Sequence, residues 1–301
     1  MGKKRKKALV ISLVIVMLII VLMIIGLKII LKVDVKNKIA VIPIIGVISS
    51  GNGDGSLISG DSVSSSTIVS FIEEANKDNS VKGIILNINS PGGGVVASKE
   101  IVDAVKKTNK PVVALIRDIG ASGGYWVASA ADYIIADPLS VTGSIGVIGS
   151  YLEFSDLFSK YGVKYQRITT GVYKDLGSPY SNLTDMQREL LLGKLSKIHK
   201  YFIDDVNKNR KKDLTRYANG LFYLGTEAKE YGLIDGLGGK EEAINVTMKL
   251  ANISKYELVV YRKETSIFDI LSKIFSNFGF SVGEGIGSSF DAKSDSGIRL
   301  E

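Results

Sequence analysis

Residues 81–94 read VKGIILNINSPGGG, an apolar strand, predicted over Val81–Asn89, that runs into a proline and three glycines. Strands that are apolar along nearly their whole length are typical of a parallel sheet covered by helices on both faces. Apolar residues with helical spacing occur on either side, at 67–77 and at 95–107. The pattern therefore predicts an α/β fold with a mostly parallel sheet.

The same alternation of strands and helices continues along the chain. We predict a Gly/Ser-rich loop at 50–66, and a strand, a short helix and a glycine-rich turn within 220–239. Further strands are predicted at 38–48, 111–116, 133–136 and 163–169, and further helices at 122–131, 184–208 and 240–250.

The N-terminus has the pattern of a retained signal anchor. Residues 8–27 are apolar except for Ser12, and the cluster in residues 1–7 is strongly basic. Twenty helical residues span about 30 Å, the thickness of a bilayer's hydrocarbon core. The positive-inside rule keeps the basic segment 1–7 cytoplasmic. We therefore expect a single-pass protein of the cell membrane, with lipid contacts through 8–32 and the rest of the chain extracytoplasmic.

The remaining chain divides into a predicted catalytic domain, 38–258, and a C-terminal part, 259–301. In that part, 267–278 carries one apolar helical face, and the residues after Phe280 have the composition of a flexible tail. The apolar face either packs on its own domain or contacts a membrane or another subunit. Seven of the 38 basic residues lie in 1–32, which leaves 31 basic and 31 acidic residues elsewhere. This balance predicts no nucleic-acid surface.

The composition excludes several kinds of chemistry. The chain has no cysteine and one histidine, so it has no thiol nucleophile, and no metal site of the two-histidine kind is possible. His199 lies in a lysine-rich helical stretch, and we interpret it as an ordinary surface or partly buried helix residue. The general base of a hydrolase is therefore expected to be Lys, Asp or Glu.

Three glycine-rich corners follow predicted strands: NSPGGG at 89–94, GASGGY at 120–125 and TGSIG at 142–146. Glycines allow a ligand to approach the backbone N–H groups closely. Ser122, at the start of a predicted helix, lies at the positive end of a helix dipole. Each corner alone is typical of a plain turn, but three at one end of a sheet indicate a shared site.

The series NSPGGG, ASGGYW, TGSIGV and GVYKDLGSP resembles the motifs of the signal peptide peptidase A family, in order and spacing, over about residues 38–250. The resemblance implies a fold like Clp protease and crotonases, no cofactor and no metal. It implies Ser122 as nucleophile, Lys174 as general base and Ser144 as the residue that orients Lys174. The N–H groups of Gly93 and Gly123 would form the oxyanion hole, with Gly92 as the alternative to Gly93.

The expected function is that of a membrane-anchored serine endopeptidase that cleaves remnant signal peptides and other apolar, extended peptides outside the cytoplasm. The resemblance also implies a homo-oligomeric ring, in which the serine and lysine of one site can belong to neighbouring subunits. Two alternatives stay open: a crotonase-like acyl-thioester enzyme and a catalytically idle membrane scaffold.

Overall fold

The computed structural model of the chain describes residues 14–23, 37–51 and 62–262. Residues 14–23, within the predicted anchor, are helical (α1) and exposed. None of the helices in the described ranges is long and apolar enough to cross a membrane. The basic segment 1–7, the flanks of the predicted anchor, the amphipathic stretch 267–278 and the tail lie outside the described residues.

One mixed sheet of eight strands forms the centre of the domain. Its main path runs β10-β1-β4-β5-β6-β9, with every pair parallel, and β7 pairs parallel with β5. β8 pairs antiparallel with β7, and β2 and β3 form a separate parallel pair. The strands are β1 (Lys38–Ile45), β2 (Val47–Ser49), β3 (Ser62–Ser64), β4 (Val81–Ser90), β5 (Val112–Ala121), β6 (Tyr133–Ala136), β7 (Val141–Gly143), β8 (Phe222–Leu224), β9 (Gly236–Leu237) and β10 (Glu257–Val260).

Helices cover both faces of this sheet. The helices are α2 (Ser65–Lys77), α3 (Val95–Lys107), α4 (Gly123–Ser129), α5 (Ser155–Lys160), α6 (Asp185–Arg210), α7 (Gly225–Glu230) and α8 (Lys240–Leu250), with a 3-10 turn at Thr215–Tyr217. On β4, Ile84, Leu86 and Ile88 belong to the larger core, while Ile85 belongs to the smaller core that includes residues of α8. The predicted α/β fold with a mostly parallel sheet is confirmed.

Two predicted segments are wrong. Residues 163–169 are exposed and irregular rather than a strand, because no neighbouring strand pairs with their backbone in the described chain. In the predicted loop 50–66, residues 62–64 form β3, which pairs with β2, and helix α2 already begins at Ser65.

Candidate active site

The three glycine-rich corners adjoin at the carboxyl ends of β4, β5 and β7. Ser90 at the end of β4 is opposite Gly120, and Ala121 at the end of β5 is opposite Gly143. Parallel strands place their carboxyl ends at one edge, where ligands bind in open α/β sheets. The sheet topology therefore builds a single site from segments that are distant in sequence.

Ser122 occupies a strained turn between β5 and α4. Its φ of 52° and ψ of −121° lie outside the regions that non-glycine residues usually adopt. The Ser122 N–H donates to the Gly143 carbonyl at 2.8 Å, and its own carbonyl accepts from the Trp126 N–H at 2.9 Å. Surrounding bonds of this kind hold strained residues at active sites. The turn leaves the Ser122 side chain facing a cavity that it helps to line.

Two backbone N–H groups beside Ser122 have no hydrogen-bond partner in the described part of the chain. They belong to Gly93 and Gly123. The neighbouring Gly92 N–H is engaged, because it donates to Ser90 Oγ at 3.1 Å. A Cβ atom on Gly92 would lie 2.7 Å from the Gly123 nitrogen, so the two corners meet too closely for a side chain. A pair of free N–H donors next to a nucleophile can stabilise an oxyanion.

The cavity beside these groups has a volume of about 570 Å³. Ser122, Ser144, Gly93 and Gly123 all line it, which brings together four of the five predicted site residues. One part of its wall is apolar, formed by Val95, Trp126, Val147, Ile148, Ile198 and Phe202, and most of the rest is polar or glycine backbone. A cavity of this size and polarity suits apolar side chains of a bound peptide.

Ser144 also has a left-handed backbone, with φ of 50°. Its N–H donates to the Leu221 carbonyl at 2.8 Å, and its hydroxyl donates to the Gly220 carbonyl at 3.4 Å. The corner that carries Ser144 is thus bonded to the segment that precedes β8.

Lys174 lies outside the cavity. It is exposed, within a series of turns, and its N–H donates to the Gly171 carbonyl at 3.1 Å. The surrounding segment, residues 149–183, is largely exposed, and its aromatic rings stack on one another, as with Phe158 and Tyr180 at 5.6 Å. Within one chain, the structure does not bring Lys174 to Ser122.

A hydrogen-bonded carboxylate fixes the aromatic wall of the cavity. Trp126 stacks on Phe202 at 4.6 Å between ring centroids, and its Nε1 donates to Asp205 at 2.8 Å. Lys106 donates to the other carboxylate oxygen at 2.9 Å. Burial raises the pKa of Asp205, but the hydrogen bonds from Lys106 and Trp126 outweigh burial, so this pKa lies below its usual value.

Two cavity residues had no functional role assigned from the sequence. Ser98, on α3, is fully buried, and its hydroxyl has no partner in the described chain. His199, on α6, is partly buried and bonded to the Ile145 carbonyl. No motif marks either residue, although Ser98 follows NSPGGG by four residues. Among the described residues, no group of three or more His, Asp or Glu side chains could hold a metal ion.

Comparison with known families agrees with this geometry. Residues 104–254 match peptidase family S49, and residues 59–137 match the Clp protease family. The chain belongs to peptidase family S49. It is accordingly a serine endopeptidase with a Clp-protease-like α/β fold, as the motifs predicted.

Several relatives of this S49 peptidase carry protease names. A protein of Methanocaldococcus jannaschii named "Putative protease MJ0651" is 35% identical over 73% of this chain and 71% of its own length. An Enterococcus faecium protein named "Putative signal peptide peptidase SppA" is 31% identical over 77% of this chain and 69% of its own length. The solved structure of a mutant 1510-N membrane-bound stomatin-specific protease with a substrate peptide has a TM-score of 0.51, 17% identity, and coverage of 80% of this chain and 99% of its own. This last similarity concerns the fold alone.

Proposed function

We propose that this S49 peptidase is anchored in the cell membrane and cleaves remnant signal peptides and other apolar, extended peptides at the extracytoplasmic face, with Ser122 as nucleophile and Lys174 as general base. The catalytic part of this proposal rests on the strained Ser122 beside two N–H groups, of Gly93 and Gly123, that have no partner among the described residues. The anchor rests on the apolar run 8–27 behind its basic segment.

The reaction follows from these positions. Ser122 Oγ attacks the scissile carbonyl carbon while Lys174 Nζ, entering neutral, takes the hydroxyl proton. The carbonyl oxygen becomes an oxyanion that accepts hydrogen bonds from Gly93 and Gly123. The Lys174 ammonium then gives its proton to the leaving amine, which leaves an acyl-enzyme. Water attacks the acyl carbon, Lys174 takes a proton from that water, and Ser122 departs with the proton returned.

We propose further that Lys174 reaches Ser122 from a neighbouring subunit of a homo-oligomeric ring. Lys174 is exposed and lies outside its own chain's cavity. Its segment exposes large apolar side chains, with Ile168 96% and Val172 78% accessible. Clusters of exposed apolar side chains mark interaction surfaces. Contact with a partner would also desolvate Lys174, which favours the neutral amine that a base requires.

The substrate class follows from the cavity and the anchor. The apolar walls favour apolar side chains, and a membrane anchor keeps the site beside the bilayer where such peptides remain. The Enterococcus faecium relative carries a signal peptide peptidase name. These observations together support signal peptide remnants as substrates.

The two alternatives receive less support. Membership of a peptidase family weighs against both an acyl-thioester enzyme and an idle scaffold. The latter would not need the strain at Ser122 that the structure maintains.

The test compares the full-length wild type with three variants in detergent, using a fluorogenic peptide that carries an apolar P1 residue. Ser122→Ala and Lys174→Ala should lose at least about 10³-fold in kcat, because each removes one member of the dyad. Lys164→Ala, which removes another exposed lysine of the same segment, should keep wild-type activity. Cleavage by Lys174→Ala at the wild-type rate would refute the dyad.

Mixing two inactive variants tests the shared site. When Ser122→Ala and Lys174→Ala chains are unfolded, mixed equally and refolded, random assembly should restore roughly a quarter of the sites, since some neighbours then combine an intact serine with an intact lysine. A mixture that stays inactive, although wild type regains activity by the same procedure, would place both residues of a site in one chain.

A further inference from the structure

His199 is the one ionisable side chain that lines the catalytic cavity within the described part of the chain. It lies on α6, a helix of 26 residues of which only Phe202 and Val206 are buried. Ile198, His199 and Phe202 are the α6 residues that line the cavity. The polar contact that His199 makes joins α6 to the corner that carries Ser144.

That contact fixes the tautomer of the ring. His199 Nε2 lies 3.0 Å from the Ile145 carbonyl oxygen, which can only accept. The Nε2 atom must therefore carry a proton and donate. The same carbonyl accepts a second bond from the Gly220 N–H at 3.0 Å. Because Nε2 is engaged in this way, it is not free to take a proton from Ser122.

Ile145 directly follows Ser144, whose left-handed backbone needs support from its surroundings. The Ser144 N–H donates to the Leu221 carbonyl, and the Ile145 carbonyl accepts from the Gly220 N–H and from His199 Nε2. Of these bonds, the one from His199 is the only one made by a side chain. It therefore bears on where the Ser144 hydroxyl points.

We infer that His199 is a positioning residue for catalysis: its Nε2–H holds the Ile145 carbonyl and so fixes Ser144 where it orients the lysine base. The inference rests on the proposed Ser122–Lys174 dyad and on the role that the motif resemblance implies for Ser144, which is to orient Lys174. His199 does not touch the reacting atoms, so its effect should pass entirely through Ser144.

The first test compares His199→Leu with His199→Gln in the full-length protein. Leucine keeps much of the volume but cannot donate, whereas the glutamine amide can donate to the same carbonyl. We expect His199→Leu to lower kcat about tenfold, the effect of one hydrogen bond, with KM changed less than twofold. His199→Gln should restore most of kcat, and both variants should keep the thermal unfolding midpoint within a few degrees.

The second test is a double-mutant cycle with Ser144→Ala. If His199 acts through Ser144, the double variant His199→Leu/Ser144→Ala should be no slower than Ser144→Ala alone. The inference would be overturned if the two substitutions lowered kcat by independent factors that multiply in the double variant. It would also be overturned by a His199→Leu variant with wild-type kcat, or by a His199→Gln variant as slow as His199→Leu.

Failure here can be separated from failure of the dyad. A Lys174→Ala variant with full activity would overturn the dyad and this inference together. An inactive Lys174→Ala variant beside a fully active His199→Leu variant would overturn the role of His199 alone.

Discussion

The Ser122 N–H and the Gly143 carbonyl oxygen are 2.8 Å apart, so the proposed nucleophile is hydrogen-bonded to the residue immediately before Ser144. The bond extends the pairing of β5 with β7 by one residue beyond the strand ends. The positions of Ser122 and of Ser144 are therefore linked through the backbone, and a change at either corner should affect both.

The PGGG corner predicts that alanine is tolerated at one of its glycines and not at another. A Cβ atom at Gly93 would overlap the Ile48 carbonyl oxygen, and the Gly93 backbone has φ of 157°. Gly93→Ala should therefore displace the unpartnered N–H and lower kcat about 10²-fold or more, the usual cost of losing one oxyanion donor. At Gly94 the nearest atom would be 3.5 Å away and φ is −59°, so Gly94→Ala should keep most activity. Equal kinetics for the two variants would contradict the assignment.

Ser98 and Ser129 should respond oppositely to removal of the hydroxyl. Both are fully buried, but Ser98 Oγ has no partner in the described chain, whereas Ser129 Oγ donates to Trp126 and accepts from Asn209. Ser98→Ala should leave the free energy of unfolding unchanged or raise it by up to about 1 kcal/mol, and Ser129→Ala should lower it by about 1–3 kcal/mol. Urea denaturation of both variants measures the difference. A destabilised Ser98→Ala would show that this hydroxyl has a partner.

Acid should destabilise the cavity wall through Asp205. Its pKa is lowered in the folded state, so its contribution to stability is complete above the unfolded value, about 3.9, and is lost as the pH falls through the folded value. Asp205→Asn keeps an acceptor for Trp126 but does not titrate, so the free energy of unfolding should fall less steeply between about pH 4 and pH 2. Asp78 should supply part of the remaining slope, because hydrogen bonds from Ser80 lower its pKa to about 2. The assignment would be refuted if the free energy of unfolding depended on pH with the same slope in the wild type and in Asp205→Asn.

The exposed apolar side chains around Lys174 lead to a prediction about assembly. Ile168 is 96% exposed in the single chain, and an aspartate there would place a charge in the proposed subunit contact. Ile168→Asp should dissociate the oligomer in light scattering and lose activity with it. The control is Leu139, which lies between β6 and β7 and is 76% exposed. Leu139→Asp should change neither the oligomeric state nor the activity. A fully active, monomeric Ile168→Asp would contradict a site shared between subunits.

Long apolar segments were predicted well from the sequence, because their pattern reflects burial. β4 and α3 were recognised in this way, and the glycine-rich corners followed from where the strands end. The short strand β7 was not recognised, since three residues are too few to show periodicity, whereas the strand predicted within 220–239 is present as β8. The error at 163–169 arose because a strand-like composition does not supply a pairing partner.

The two halves of the site differ in what the sequence can provide. Ser122, Gly93 and Gly123 lie within corner motifs whose geometry is local, so spacing and resemblance could single them out, and their catalytic roles stay predictions. His199 contacts Ile145 across 54 residues of sequence and belongs to no motif, so only the folded chain reveals that contact. The place of Lys174 beside Ser122 is a property of subunit association in our proposal, and thus stays a prediction.

The pairing of β1 with β10 has a consequence for biosynthesis. Lys38 and Glu257 are opposite each other at this edge. β1 therefore cannot complete its pairing until β10, more than 200 residues later in the sequence, has been synthesised. Until the last strand leaves the ribosome, the edge of β1 that β10 will cover presents a row of unpaired backbone groups, which can act as a template for aggregation. Folding dominated by such distant pairing is slow. Nascent chains should therefore depend on chaperones until translation has passed Val260.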